Sequence, residues 1–240
     1  LSTNVAESSL TVPGIRYVID TGLVRISRYA PRSRVRRLPI ETVSQDSANQ
    51  RSGRCGRVGP GICIRLYEED DFEKRPKFTT PEVKRSDLAS VILQCLTLNL
   101  GKLEELPLLD VPTPEALRDG KRTLYELGAT DEDDRLTKVG RQLGKLPCDP
   151  RVGRMLLEAD QRNCLAEVVV IAAAIECQDV RQRPAGQRPQ ADEAHAIFND
   201  PHSDFLSYLR LYRFFEDLRG KLGRSRLQKA LQQKFLSYQS

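Results

Sequence analysis

The chain has only two histidines, His195 and His202, and none of its six cysteines stands in a C-x-x-C pair. A zinc site or a disulfide framework is therefore not expected, and a reducing, cytoplasmic setting suits the thiols. Long apolar runs are also missing. The longest, around residues 168–175, falls short of the roughly 20 residues that cross a bilayer and reads as a buried helix, so no membrane partner is expected. No basic-then-apolar leader follows Leu1, and the chain reads as a piece of something longer. Nowhere does G-x-x-x-x-G-K-[ST] occur. Lys102, Lys121, Lys145 and Lys221 follow glycine, but none precedes Ser or Thr, which excludes that kind of phosphate-cradling loop. Lysine is absent altogether from the first 65 residues.

That last absence exposes a bias. Residues 1–65 hold eleven Arg against four acids (Glu7, Asp20, Glu41, Asp46), a net charge of +7; the other 175 residues hold 27 bases and 29 acids, or −2. A guanidinium fork grips phosphate oxygens in pairs, whereas Lys offers a mobile point charge. An Arg-only excess therefore suits a phosphate-bearing partner, with a solvated basic surface as the plain alternative.

At 240 residues the chain is long enough for one large domain or two to three small ones. Its first part reads as α/β. "RYVID" and "GICIRLY" are short β-rich runs, and "GLVRISRYAPRSRVRRLPIETVS" has two partly alternating arms around Pro31 to Arg34, a long hairpin studded with arginine. The polar run "EEDDFEKRPKFTTPE" reads as a boundary. "SDLASVILQCLTLNLG" predicts a helix capped by Ser86 or Asp87 and closed at Gly101, and "TPEALRDGKRTLYELGA" one capped by Thr113 with Pro114 in its first turn. "ATDEDDRLTKVGRQLGKLP" predicts a small hairpin with an acidic tip leading into Leu136 and Val139, which completes a winged-helix outline. From Asp149 onward the pattern is helical, with Phe205, Leu209, Tyr212 and Phe215 predicted to form one buried face.

"QRSGRCGRVGPG", beginning at Gln50, is the strongest local motif. A helix over residues 47–57, capped by Ser47, would bring Gln50, Arg54 and Arg57 onto one narrow face. Gly53 and Gly56 would lie beside it, and two glycines that each cost a helix about 1 kcal/mol point to a close approach by a partner backbone.

These residues resemble a known family. "QRSGRCGR" is similar to motif VI of the DEAH-box RNA helicases, and "STNVAESSLTVPGIRYVIDTG" to their motif V. "DPRVGRMLLEA", "ECQDVRQRP" and "SDFL" resemble the family's ratchet region, and "YAPRSRV" with "GICIRLY" resembles the bacterial HrpA-type members. The resemblance spans essentially the whole chain. It implies part of a second RecA-like domain with an Arg-rich β-hairpin (residues 1–76), a winged-helix domain (77–147) and a truncated helical ratchet bundle (148–240).

It also implies roles. Gln50 would orient the attacking water or touch the γ-phosphate, and Arg54 and Arg57 would be arginine fingers on ATP. Thr3 and Asn4 would grip the nucleic-acid backbone. In the hairpin, Arg25, Arg28, Arg32, Arg34, Arg36 and Arg37 would track phosphates near the duplex junction and help part the strands. Gln178, Arg181 and Arg183 would line the exit of a channel for single-stranded RNA. Many members carry Asp where Pro13 stands here, so the resemblance does not extend to a ribose contact at that position.

The letters Asp192-Glu193-Ala194-His195 spell the family's acidic, magnesium-holding motif, yet "RQRPAGQRPQA" before them has no apolar run for a central strand, and they follow motif VI instead of preceding motif V. Asp192 reads as a helix cap with Glu193 in the first turn. Most ATP contacts and Mg2+ are therefore expected in a first RecA-like domain, with a C-terminal OB-type domain as a further partner, and the chain alone is expected to be inactive. The alternatives are a catalytically silent helicase-like adaptor for RNA or protein, a DNA-directed helicase, and a winged-helix transcription regulator. The acidic tip "TDEDD" disfavours the last of these.

Overall fold

Branched and aromatic residues favour the pleated conformation, and Tyr17–Asp20 forms β1 accordingly. Its partner is not the next strand but β6, Ile62–Arg65, which pairs in parallel with Tyr17 opposite Ile62 and Asp20 opposite Arg65. A parallel pair needs a long crossover, and this one contains the Arg-rich hairpin. The computed structural model describes residues 2, 4–8, 12–30 and 35–238, and the side chains of all of these except Ala30, Val35 and Arg36. The chain divides into two compact units, residues 1–126 with 132–135, and residues 127–131 with 136–240.

In the first unit a short helix, α1 (Val5–Ser8), precedes β1. The hairpin is two antiparallel ladders. β2 (Leu23–Arg25) pairs with β5 (Ile40–Thr42), and β3 (Arg28–Ala30) with β4 (Val35–Arg37). Pro39 has no N–H to donate, and here the strands part, held by a bond from Ile26 N–H to the Pro39 carbonyl. The β1–β6 pair keeps one face bare: Tyr17, Ile19, Ile62 and Ile64 are 70%, 68%, 57% and 51% exposed.

Helix α2 covers Gln45–Ser52, shorter than the expected 47–57. Ser44, not Ser47, is the cap and accepts from Ser47 N–H at 3.2 Å; Gly53 ends the helix, and residues 53–56 form turns. Two serines of equal capping ability three residues apart, Ser44 and Ser47, explain the misplaced start. Within the chain Gly53 and Gly56 meet only their own turn, the atoms nearest a Cβ at either site belonging to residues 49, 50 and 53. The close approach is at Gly61, where a Cβ would lie 2.2 Å from the Cys55 carbonyl oxygen. The chain must fold back tightly on the motif before entering β6.

The polar run expected as a boundary is ordered. Glu69–Lys74 forms α3, and Arg75, 7% exposed, reaches under Gly22 and stacks 3.9 Å over Tyr67. A guanidinium with a carboxylate, a carbonyl and an aromatic face is stable in the interior. Beyond it lie α4 (Ala89–Thr97) and α5 (Pro114–Glu126). Asp87 accepts from Ala89 N–H and Thr113 from Ala116 N–H, while α4 closes at Asn99, φ 56°, two residues before Gly101. Leu88, Ile92, Leu93, Leu103 and Leu124 are buried in this part of the unit; burying one leucine contributes about 2 kcal/mol.

In the second unit the predicted hairpin shrinks to a single bridge, Thr130 with Leu136, and Val139 lies in α6 (Lys138–Leu143). The Thr137 hydroxyl accepts from Gly140 N–H at 3.0 Å and so favours a helix over a second strand. There follow α7 (Pro150–Gln161), α8 (Leu165–Glu176), α9 (Arg188–Ala196), α10 (Asp204–Lys221) and α11 (Arg224–Gln233). Two expectations fail here. The apolar α8 buries only Ala172, and Val169 and Ile175 are 48% and 46% exposed. On α10, Phe205 and Tyr212 are exposed. The packed face is rotated to Leu211, Phe214, Phe215 and Leu218, which meet Phe198, Leu227, Leu231 and Leu236 because α11 folds back onto that side.

Candidate functional site

Gln50 sits two residues before the end of α2, exposed, its side-chain amide donating to Asp46 at 2.8 Å. Arg54 lies in the turn beyond the helix and Arg57 in the bend after that. The expected single helical face is therefore overturned. The structure brings Arg54 and Arg57 to one pocket of about 470 Å³, and Gln50 is not among its lining residues. Arg54 is half-buried, and its Nη1 is buried without a hydrogen-bond partner among the described residues. A buried donor left unmade costs roughly 1–3 kcal/mol, so this guanidinium is poised for an acceptor.

Asn4, Glu7, Asp20, Thr21, Arg25 and Arg51 share that pocket. Asn4 is exposed, and its carbonyl accepts from Glu7 N–H. Thr3, Arg32 and Arg34 lie outside the described residues, and of Arg36 only the backbone, in β4, is described. Arg25 and Arg37 are exposed on the hairpin. Arg28 is not a free cation: its Nε and Nη2 bond both oxygens of Glu41, at 2.5 and 2.7 Å. Pro13 is exposed.

Sequence reasoning missed Arg51. Arg51 donates from Nε to Glu7 at 2.8 Å, and from Nη1 to Asp20 at 2.8 Å and to the Leu23 carbonyl at 3.1 Å. Asp20 is buried, and Gly22 N–H and the Tyr67 hydroxyl also donate to it. Burial alone would raise its pKa, but the bonds from Gly22, Arg51 and Tyr67 outweigh that and hold the carboxyl below its ordinary range. Burial, together with the bond to Asp20, pushes the Tyr67 hydroxyl up to about 12. The available signal was scarcity: with only four acids against eleven arginines, each acid was a candidate partner.

In the second unit, Gln178 is exposed at the edge of an apolar groove of about 350 Å³ between α8, α10 and the segment after α11. Arg181 donates to both oxygens of Asp179 and lies 5.0 Å over the Tyr208 ring, and its backbone bridges to Leu236. Arg183 pairs with Asp192 at 2.6 Å. Asp192 is therefore mid-helix in α9 and not its cap, because the helix begins earlier, after Gln187. His195 is buried against the Phe235 carbonyl. Among the described residues no group of three or more His, Cys, Asp or Glu is placed to hold a metal ion, and Glu7 and Asp20 are already taken by Arg51, so magnesium does not fit this part of the site.

Three family descriptions match in order: "Helicase conserved C-terminal domain" over residues 1–59, "Helicase associated domain (HA2), winged-helix" over 122–148 and "Helicase associated domain (HA2), ratchet-like" over 149–208. With the strand pair, the hairpin and the helical unit, they define a helicase C-terminal module carrying its associated winged-helix and ratchet domains.

The relatives narrow that class. The chain is 49% identical to the ATP-dependent RNA helicase HrpA of Escherichia coli (strain K12) over 99% of its length and 19% of the relative's. The figures are the same for the HrpA homolog of Haemophilus influenzae, and for mouse ATP-dependent RNA helicase DHX33 they are 36%, 92% and 32%. The chain belongs to the DEAH-box helicases of the HrpA type, and it spans about a fifth of the length of its bacterial relatives. Among the described residues no helix is long and apolar enough to cross a membrane.

Proposed function

We propose that this chain is the C-terminal part of the motor of an ATP-dependent RNA helicase. In this reading residues 1–76 complete a second RecA-like domain, 77–147 form the winged helix, and 148–240 the ratchet. The observation that carries it is the meeting of Arg54 and Arg57, from the segment resembling motif VI, with Asn4, from the segment resembling motif V, on one pocket. ATP with Mg2+ would be held mainly by a first RecA-like domain. Arg54 and Arg57 would then neutralise charge that develops on the transferring phosphoryl group, a role worth about 10³–10⁵ in rate in comparable enzymes.

Gln50, on the exposed side of α2, would reach the same nucleotide once the domains close. Asn4 and the exposed hairpin arginines Arg25 and Arg37 would track the backbone of single-stranded RNA, and Arg28 would shape the hairpin through Glu41. The bare β1–β6 face supports the wider reading, because a two-stranded parallel pair with an uncovered apolar face is marginal by itself and belongs in a larger sheet whose faces are covered by helices.

The test is ATP turnover by the intact protein with single-stranded RNA and with single-stranded DNA. Arg54→Ala and Arg57→Ala should each abolish turnover and leave RNA binding in place. Wild-type turnover in either variant would remove that arginine from the role, and stimulation by DNA alone would overturn RNA as the substrate.

A further inference from the structure

Arg51 lies on α2 three residues before Arg54, yet the partners of its side chain lie elsewhere in the chain: Glu7 on α1, Asp20 at the end of β1, and the Leu23 carbonyl at the start of the hairpin. Two segments, α1 and the corner between β1 and β2, thus converge on one planar group, whose side chain is only 16% exposed. The network extends further. The second oxygen of Asp20 accepts from Tyr67, and the Tyr67 ring carries Arg75, which bonds the Gly22 carbonyl. Gly22 itself, at φ 72°, has no room for a side chain, since a Cβ would lie 2.6 Å from the Tyr67 ring. With its neighbours fixed in this way, β1 and the hairpin base have little freedom to slide past α2.

We infer that Arg51 is a positioning residue that makes the turn bearing Arg54 and Arg57 respond to what binds at α1 and the hairpin. The inference rests on the helicase reading and adds to it the route by which RNA would control the fingers. A ligand that displaces α1 must either carry Arg51 with it or break an ion pair largely shielded from water, and breaking such a pair is costly. Moving Arg51 moves the end of α2, and with it the finger turn. Only a forked guanidinium meets three acceptors lying in different directions; a lysine keeps the charge but offers one compact donor group on a flexible stem.

The experiment uses the intact protein and the ratio of RNA-stimulated to basal ATP turnover, with thermal melting as a check on folding. Arg51→Lys and Glu7→Gln should each lower that ratio about tenfold, within the usual range of coupling between two sites. Their double variant should fall no further than Arg51→Lys alone, because both changes cut one tie. A ratio within about twofold of wild type in both single variants overturns the inference. So does a drop in which basal and stimulated turnover fall together with the melting temperature, the mark of a purely structural role. A wild-type protein that RNA does not stimulate at all overturns the helicase reading and this inference together. A stimulated wild type with unresponsive variants overturns only the inference.

Discussion

The first 65 residues and the second unit hold arginine in opposite ways. In the second, Arg151, Arg154, Arg162, Arg181, Arg183, Arg210 and Arg219 each lean on a carboxylate, mostly within ten residues in sequence. In the first 65 residues acids are scarce, and three of the four, Glu7, Asp20 and Glu41, are drawn to Arg28 and Arg51. Among the described residues Arg25 and Arg37 are exposed with no carboxylate partner, and Arg54 has a buried nitrogen with no acceptor. Paired arginines staple helices and loops, and each staple is worth little in water. Unpaired ones, kept apart from acids by the composition, are free to meet an external anion.

The sharpest way to break this contrast is to exchange the effects. In the intact protein Arg54→Ala should cut ATP turnover about 10³-fold or more, whereas Arg181→Ala should leave both turnover and RNA affinity near wild type. An Arg181→Ala variant that lost RNA binding would place that residue in the channel, as the sequence first suggested. Next in size is Asp20→Ala, which strands Arg51, Tyr67 and the Gly22 N–H. A loss of about 3 kcal/mol in denaturant unfolding is expected, against about 1 kcal/mol for Arg181→Ala.

A smaller effect should appear in acid. The native contacts of Asp20 depress its pKa, so its contribution to stability is complete above the unfolded-state value near 3.9 and is lost as pH falls through the lower folded value. Melting followed from pH 5 down to about pH 2 should therefore decline less in Asp20→Asn than in wild type. Equal slopes would mean that the network is not ionic. The smallest effect is expected for Arg162→Ala at the exposed end of α7, a stability change within about 0.5 kcal/mol.

Much of the fold was legible because it is written locally. β-branched runs marked β1 and β6, and Thr113 caps the helix it announced. What escaped was decided at a distance. The face of α10 that packs is chosen by α11 and Leu236, which helical periodicity in residues 204–221 cannot register. Arg51 was unremarkable in sequence because its acidic partners stand 31 and 44 residues away. The motif brought Arg54 and Arg57 to notice, but the helical face drawn through them was wrong, because Gly53 ends α2 before either of them.

The uncovered side of the β1–β6 pair has a practical corollary for anyone purifying this polypeptide. Tyr17, Ile19, Ile62 and Ile64 make an adhesive strip. At working concentrations it should recruit a fluorescent apolar dye, or a twin of the same molecule, and both behaviours should fade once a covering helix or domain shields it.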